Sequence, residues 1–262
     1  MSDSVPHGPS PAPETNSSDE HPGLVTAFIL AGGRGSRLAP LTTIIPKPLV
    51  PVGDSSILEI LIRQLVASGI DRIVISLGYL GHLIQAVVGD GSQFGATVDY
   101  TREDEPLGTA GALALLPPQP DGSTIIVLNG DTLTDLDFSA LVTRHLSSGA
   151  TASIVVVERE TRVDFGVVEA ALDGELERYI EKPSYVHRVS IGVNVVSASA
   201  LAAIGARERI DMPDFLLRLK ASGGTVQCVE SGCFWLDLGR IDDLRAAGEL
   251  VAREPARFAH RR

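Results

Sequence analysis

The segment Leu30-Ala31-Gly32-Gly33-Arg34-Gly35-Ser36-Arg37-Leu38 directly follows an unbroken apolar run. Its residue types suit a phosphate. Glycines just past a strand let the backbone approach an anion closely and offer it N–H groups. Arg37 adds a guanidinium that can pair with phosphate oxygens in a fork. Eight residues after Leu38 comes Pro46-Lys47-Pro48-Leu49. A proline on each side restrains the backbone around Lys47, which suits a positioned point charge. A dinucleotide-binding turn would need Gly where Leu38 stands, and a P-loop would need Gly-Lys-Ser/Thr at its end. The loop meets neither requirement, and a Gly-rich surface turn is the remaining plain alternative.

Two carboxylates stand where chemistry of this kind would want them. Asp131 ends Asn129-Gly130-Asp131, directly after the apolar run 124–128. Asp237 follows Trp235-Leu236 and precedes Gly239. Both positions read as the C-terminal ends of strands, where open parallel sheets bind their ligands. Each could equally be a turn aspartate, since Asn-Gly-Asp is also turn text. Asp242 and Asp243 read instead as the first turn of a last helix, where negative charge suits the helix dipole.

The pairing of Gly-Gly-x-Gly-Ser-Arg-Leu with Pro-Lys-Pro-Leu resembles the signature of the sugar-1-phosphate nucleotidylyltransferases. Further marks of that family occur in its order: Glu105-Pro106-Leu107-Gly108-Thr109-Ala110-Gly111, Asn129-Gly130-Asp131, Phe165-Gly166-Val167-Val168, Glu181-Lys182-Pro183 and Trp235-Leu236-Asp237-Leu238-Gly239. The likeness runs from about residue 25 to about residue 250. It is greatest to short mannose-1-phosphate and heptose-1-phosphate guanylyltransferases, and similar loops occur in glucose-1-phosphate thymidylyl- and cytidylyltransferases.

The resemblance implies transfer of a nucleotidyl group from a nucleoside triphosphate, GTP first, to a hexose or heptose 1-phosphate. A protein joining two anions must position them and neutralise charge, and need not supply a nucleophile. By resemblance, Arg37, Lys47 and Asp131 are the catalytic set, and Asp131 and Asp237 share Mg²⁺. The nucleotide is expected against Leu30, Ala31, Gly32, Gly33, Gly35, Ser36, Leu107, Gly108, Thr109 and Gly130, with Gln85 or Glu103 as polar contacts. Gly166, Glu181, Lys182 and Asn194 are expected at the sugar phosphate. Ser190-Ile191-Gly192-Val193-Asn194 departs from the family, which more often has Asn in place of Ser190 and Tyr in place of Asn194. That departure keeps a heptose or modified sugar open. A non-catalytic sugar-nucleotide regulator is the rival from another class, although it would be expected to lose the charged set that this chain keeps. A nicotinamide-dependent oxidoreductase fails on Leu38. Self-association as a dimer or tetramer is expected by analogy.

These residues need elements to hold them. Apolar runs at 24–30, 72–77, 97–101, 124–128 and 151–157 read as strands. They alternate with helical periodicity at 55–68, 80–88, 109–115 and 138–146. Such alternation predicts an α/β, doubly wound, mainly parallel Rossmann-like sheet with helices on both faces. Asp173-Gly174 between short apolar stretches signals a hairpin, hence a small antiparallel insert in the second half. A strand over 189–196, helices near 201 and over 213–221, and a helix over 241–253 complete the pattern. Residues 1–23, rich in Pro, Ser and acids, read as a disordered tail. Residues 24–262 then form the catalytic domain, with a nucleotide-binding lobe at about 24–157 and a sugar-phosphate lobe at about 158–262.

The 262-residue chain carries a formal net charge of -11, which argues against nucleic-acid and anionic-membrane partners. No stretch reads as a transmembrane helix or a signal peptide, so a cytoplasmic location is expected. Two cysteines, Cys228 and Cys233, read as buried free thiols with no zinc cluster around them. His82, His145 and His187 read as surface or helix-end residues.

Overall fold

The computed structural model describes residues 24–258. The tail expected over 1–23 lies outside them. Along the chain the strands and helices are β1 (Val25–Ala31), β2 (Pro51–Val52), β3 (Ser55–Ser56), α1 (Ile57–Ala67), β4 (Arg72–Leu77), α2 (Gly81–Val88), β5 (Thr97–Arg102) and α3 (Gly108–Gly111). Then come β6 (Thr124–Asn129), β7 (Thr132–Thr134), α4 (Phe138–Ser148), β8 (Ala152–Arg162), β9 (Val167–Ala170), β10 (Leu176–Ile180) and β11 (Ser184–Ser197). The chain continues through α5 (Met212–Ala221), β12 (Val226–Glu230), β13 (Trp235–Asp237), α6 (Ile241–Arg253) and α7 (Pro255–Phe258).

Seven strands form the central sheet in the order β12-β8-β11-β6-β1-β4-β5. β1 pairs parallel with β4 and β6, β4 with β5, and β12 with β8. β11 alone is antiparallel to both of its neighbours. β1 shows why its sequence is apolar throughout. Ala27, Ile29 and Ala31 pack on one face against Leu58, Leu61 and Leu65 of α1, while Phe28 packs on the other against Leu113 and Phe215. Helices therefore cover both faces, and the run has no polar side to show.

Local signals set the ends of elements. Ser56 caps α1: the Glu59 backbone N–H donates to Ser56 Oγ (3.2 Å), and the Ser56 N–H donates back to the Glu59 carboxylate (2.8 Å). Such a reciprocal cap stabilises by about 1 kcal/mol. Asp243 accepts from the Arg240 N–H at 2.8 Å, so this acid belongs to the start of α6.

Three expectations need correction. Cys228 is exposed and Cys233 half-buried, because both sit at the sheet's outer strand and the loop after it. His145 is buried at 2 % exposure, where its Nδ1 and Ser153 Oγ lie 2.9 Å apart. The strands read at 151–157 and 189–196 extend to Ala152–Arg162 and Ser184–Ser197, so that they project beyond the sheet as a two-stranded ribbon.

Candidate functional site

The loop after β1 lines a cleft of about 810 Å³, together with the ends of β4, β5 and β6. Gly35 adopts φ 59°, and a Cβ there would lie 3.0 Å from Thr42 and 3.1 Å from Lys47. Only glycine meets both conditions. Thr42 Oγ donates to the Gly35 carbonyl at 2.8 Å, which ties the loop to the next turn. Leu38, the residue that excludes a dinucleotide turn, is fully buried and anchors the loop's far end. Gly78, just past β4, lies so close that a Cβ would be 2.5 Å from the Gly32 carbonyl. The Tyr79 N–H donates to that same carbonyl at 3.3 Å.

The charged residues meet at one edge of this cleft. Lys47 is 7 % exposed, in the short turn Lys47–Leu49. Its ammonium donates to Asp131 and lies 3.5 Å from Asp237 Oδ1. The other oxygen of Asp237 is 4.0 Å from the Arg37 guanidinium. β7 and β13 bring the two acids together: they pair antiparallel with Asp237 opposite Thr132, the neighbour of Asp131. Gly239 leaves room for Arg37, since a Cβ there would be 3.2 Å from the guanidinium.

A second cavity, about 740 Å³, adjoins the first across Arg37, Thr109, Asn129 and Asp131. Ser190, Gly192 and Asn194 of β11 line it, with Trp235, Asp237 and the α5 residues Met212, Leu216 and Lys220. Two buried polar atoms on its wall have no partner among the described residues: Asn194 Oδ1 and Trp235 Nε1. A buried donor and acceptor left unsatisfied are costly, and a hydroxyl can serve both. Gly192 has φ 75°, and a Cβ there would overlap the Asn129 amide. The break in the β8–β11 register between Ser190 and Asn194 marks this adjustment.

Of the residues expected at the nucleotide, Leu30, Ala31, Gly32, Gly33, Gly35, Ser36, Glu103, Gly108 and Thr109 line the first cleft. Glu103 is engaged at both oxygens, by Ser76 Oγ (3.1 Å) and the Leu107 N–H (2.7 Å), so it braces the loop that leads to α3. Gly108 turns at φ 79° beneath Ile210, whose carbonyl a Cβ would meet at 2.6 Å. Thr109 accepts from the Met212 N–H at 2.7 Å, and its own N–H donates to Asp211 at 3.0 Å. Gly130 lies behind the cleft wall, with its N–H on the Leu30 carbonyl at 2.9 Å. Leu107 is likewise outside the lining. Gln85 is exposed on α2 and lines neither cavity. Gly166, Glu181 and Lys182 are also outside both linings. They sit beside the β9–β10 hairpin, and only Asn194 of the expected sugar set lines the second cavity. Sequence reasoning missed Tyr79, Arg102, Asn129 and Trp235 as lining residues. Asn129 and Trp235 lie inside motifs already noticed, whereas nothing near Tyr79 or Arg102 signals a site.

Among the described residues no three His, Cys, Asp or Glu side chains cluster as a metal site. A pair of carboxylates on a strongly held lysine is nonetheless a donor set that suits Mg²⁺, which takes one or two carboxylates and completes its shell with phosphate oxygens and water.

Residues 26–254 match the family described as Nucleotidyl transferase. Mannose-1-phosphate guanylyltransferase of Mycobacterium tuberculosis is 29% identical over 245 residues, which is 90% of this chain and 68% of that protein. UTP–glucose-1-phosphate uridylyltransferase of Synechocystis is 30% identical over 248 residues, 87% of this chain and 64% of that one. The chain thus spans about two thirds of the length of these curated relatives. Among solved structures, HddC from Yersinia pseudotuberculosis superposes with a TM-score of 0.64 at 26% identity, covering 86% of this chain and 98% of that one.

Proposed function

Because the chain belongs to the nucleotidyl transferase family, we propose that it transfers a nucleotidyl group from a nucleoside triphosphate to a sugar 1-phosphate, giving a nucleoside-diphosphate sugar and pyrophosphate. One observation carries this reading. Asp131 and Asp237 converge on Lys47 where two cavities meet, one walled by glycine backbone and the other by β11 and Trp235. Two substrates can therefore lie on either side of one charged centre. GTP is the first nucleotide to try. The mycobacterial relative is named a guanylyltransferase, and HddC was solved complexed with GMP-PN. The Synechocystis relative is a uridylyltransferase, so the base must be found by assay.

In the proposed reaction a phosphate oxygen of the sugar 1-phosphate forms a bond to the α-phosphorus. The bond from that phosphorus to the β-bridging oxygen breaks, and its electron pair leaves with pyrophosphate. The loop of Gly32, Gly33, Gly35 and Ser36 holds the triphosphate, and Arg37 balances charge on the departing group. Asp131 and Asp237 would hold Mg²⁺, which when bound offsets the repulsion between the two anions. Lys47 keeps the two carboxylates in place. Asn194 and Trp235 satisfy their free acceptor and donor on sugar hydroxyls. Glu181, Lys182 and Gly166 remain proposed sugar-phosphate contacts, although they lie outside both linings. The proposed nucleotide-binding lobe at about 24–157 supplies most of the first cavity's wall, and both proposed lobes line the second. A pyrophosphate-release assay across nucleoside triphosphates and sugar 1-phosphates tests the reading. Release that needs both substrates supports it, and silence across all pairs overturns it.

A further inference from the structure

β8 runs well past its outer neighbour. β12 ends at Glu230, opposite Val156, so residues 158–162 of β8 have β11 on one edge and, among the described residues, no strand on the other. No residue from 158 to 190 is buried. Seven of the exposed large apolar side chains of the described residues lie here: Phe165, Val168, Leu172, Leu176, Tyr179, Tyr185 and Val186. A two-stranded ribbon exposed on both faces is marginally stable in water, and an open strand edge invites pairing.

The open edge reads Glu158-Arg159-Glu160-Thr161-Arg162. A two-fold axis perpendicular to the ribbon pairs each residue with the one equally far from the axis, and only registers centred on a residue keep side chains on matching faces. Centred on Glu160, the register sets Glu158 opposite Arg162 of the second copy, and Arg162 opposite its Glu158. Both are opposite-charge pairs on one face. Arg159 meets Thr161, and the two Glu160 side chains share the axis between the flanking arginines. Centred on Thr161, the register would set Glu160 against Arg162, but it would run past Arg162, where β8 ends, and set Glu158 against Asp164 twice. The Glu160 register stays within β8 and carries one like-charge contact, on its axis. Val186 lies beside Glu160, and Tyr185 beside Thr161, so apolar area flanks the seam on both faces.

We propose that the free edges of β8 from two copies of this chain pair antiparallel about Glu160, joining the two ribbons into a four-stranded sheet β11-β8-β8-β11. The occupant of the edge is a second copy because the edge is complementary to itself. A partner with a single-sign patch would meet both charges.

The test is sedimentation velocity on the full chain and its charge-reversal variants, with circular dichroism to confirm folding. Both substitutions lie on exposed ribbon outside the proposed catalytic residues. The wild-type protein is expected to sediment as a dimer. Glu158→Arg alone sets arginine against arginine twice, and Arg162→Glu alone sets glutamate against glutamate twice. Each is expected to shift the protein to monomer. The double variant restores both pairs and is expected to dimerise. An equimolar mixture of the two single variants is also expected to dimerise, because every cross-pair is then opposite in charge. A monomeric wild type overturns the proposal. So do single variants that keep the wild-type sedimentation, or monomeric single variants that fail to associate on mixing.

Discussion

The Lys47 ammonium bridges Asp131 and Asp237, donating to the first and standing 3.5 Å from the second. The side chain of Lys47 is 9 % exposed and those of the acids 28 % and 46 %, so the lysine is the dry member and the carboxylates face the cavities. Removing it leaves two acids close together with nothing between them. Lys47→Met is expected to lower stability by about 1–3 kcal/mol, the cost of leaving partly buried charge unsatisfied. Chemical denaturation measures this. Asp131→Asn can still accept from Lys47, so its unfolding midpoint should stay close to wild type while turnover falls by about 10²- to 10³-fold.

The glycines around the loop divide into two kinds. Gly78→Ala would press a methyl into the Gly32 backbone, an overpacking worth about 1–3 kcal/mol. A Cβ at Gly33 meets nothing within 4 Å. Gly33→Ala is therefore expected to unfold at the wild-type denaturant concentration yet raise KM for the nucleotide, since the methyl points into space a phosphate would use. Equal loss of stability in both variants would contradict this division.

Trp235→Phe keeps an aromatic ring, though a smaller one, and removes the unpaired N–H. If that donor meets a sugar hydroxyl, KM for the sugar 1-phosphate should rise about 2- to 10-fold, the worth of one neutral hydrogen bond. KM for the nucleotide should not change. Steady-state kinetics with each substrate varied in turn separates the two.

Burial lowers the pKa of His145 from its ordinary 6.5, so the folded protein holds this ring neutral. The unfolded chain takes up the proton first as pH falls. Stability from this site is thus complete above pH 6.5 and is lost as pH drops below 6.5 toward the lower folded value. Melting temperature is expected to fall over that interval, and His145→Gln should flatten the slope. An unchanged slope in the variant would assign it to other groups.

Much of this was legible in the residues because periodicity and turn chemistry are local. The limits of β4 and α6 are those the residues predict, whereas the meeting of Asp131 and Asp237 is implied only by the family resemblance and is brought about by the β7–β13 pairing. What escaped is non-local. β12 is five residues long, and only pairing with β8 makes it a strand. The long reach of β8 is polar on both faces, so no hydrophobic pattern marks it. His145 reads as a surface helix end until Ser153 is seen across from it. Glu103 reads as a polar contact and lines the first cleft, but its bonds to Ser76 and Leu107, which brace the loop before α3, leave no mark in the sequence.

The central claim is that one carboxylate-lined centre joins two anionic substrates. Its most direct test is pyrophosphate release by wild type and Asp131→Asn with Mg²⁺, GTP and mannose 1-phosphate, extended to the other nucleotide and sugar-phosphate pairs. The account expects pyrophosphate and sugar nucleotide in equal amounts, only when both substrates are present, and near-complete loss in the variant. Pyrophosphate formed without a sugar phosphate, or wild-type rates in Asp131→Asn, would contradict it.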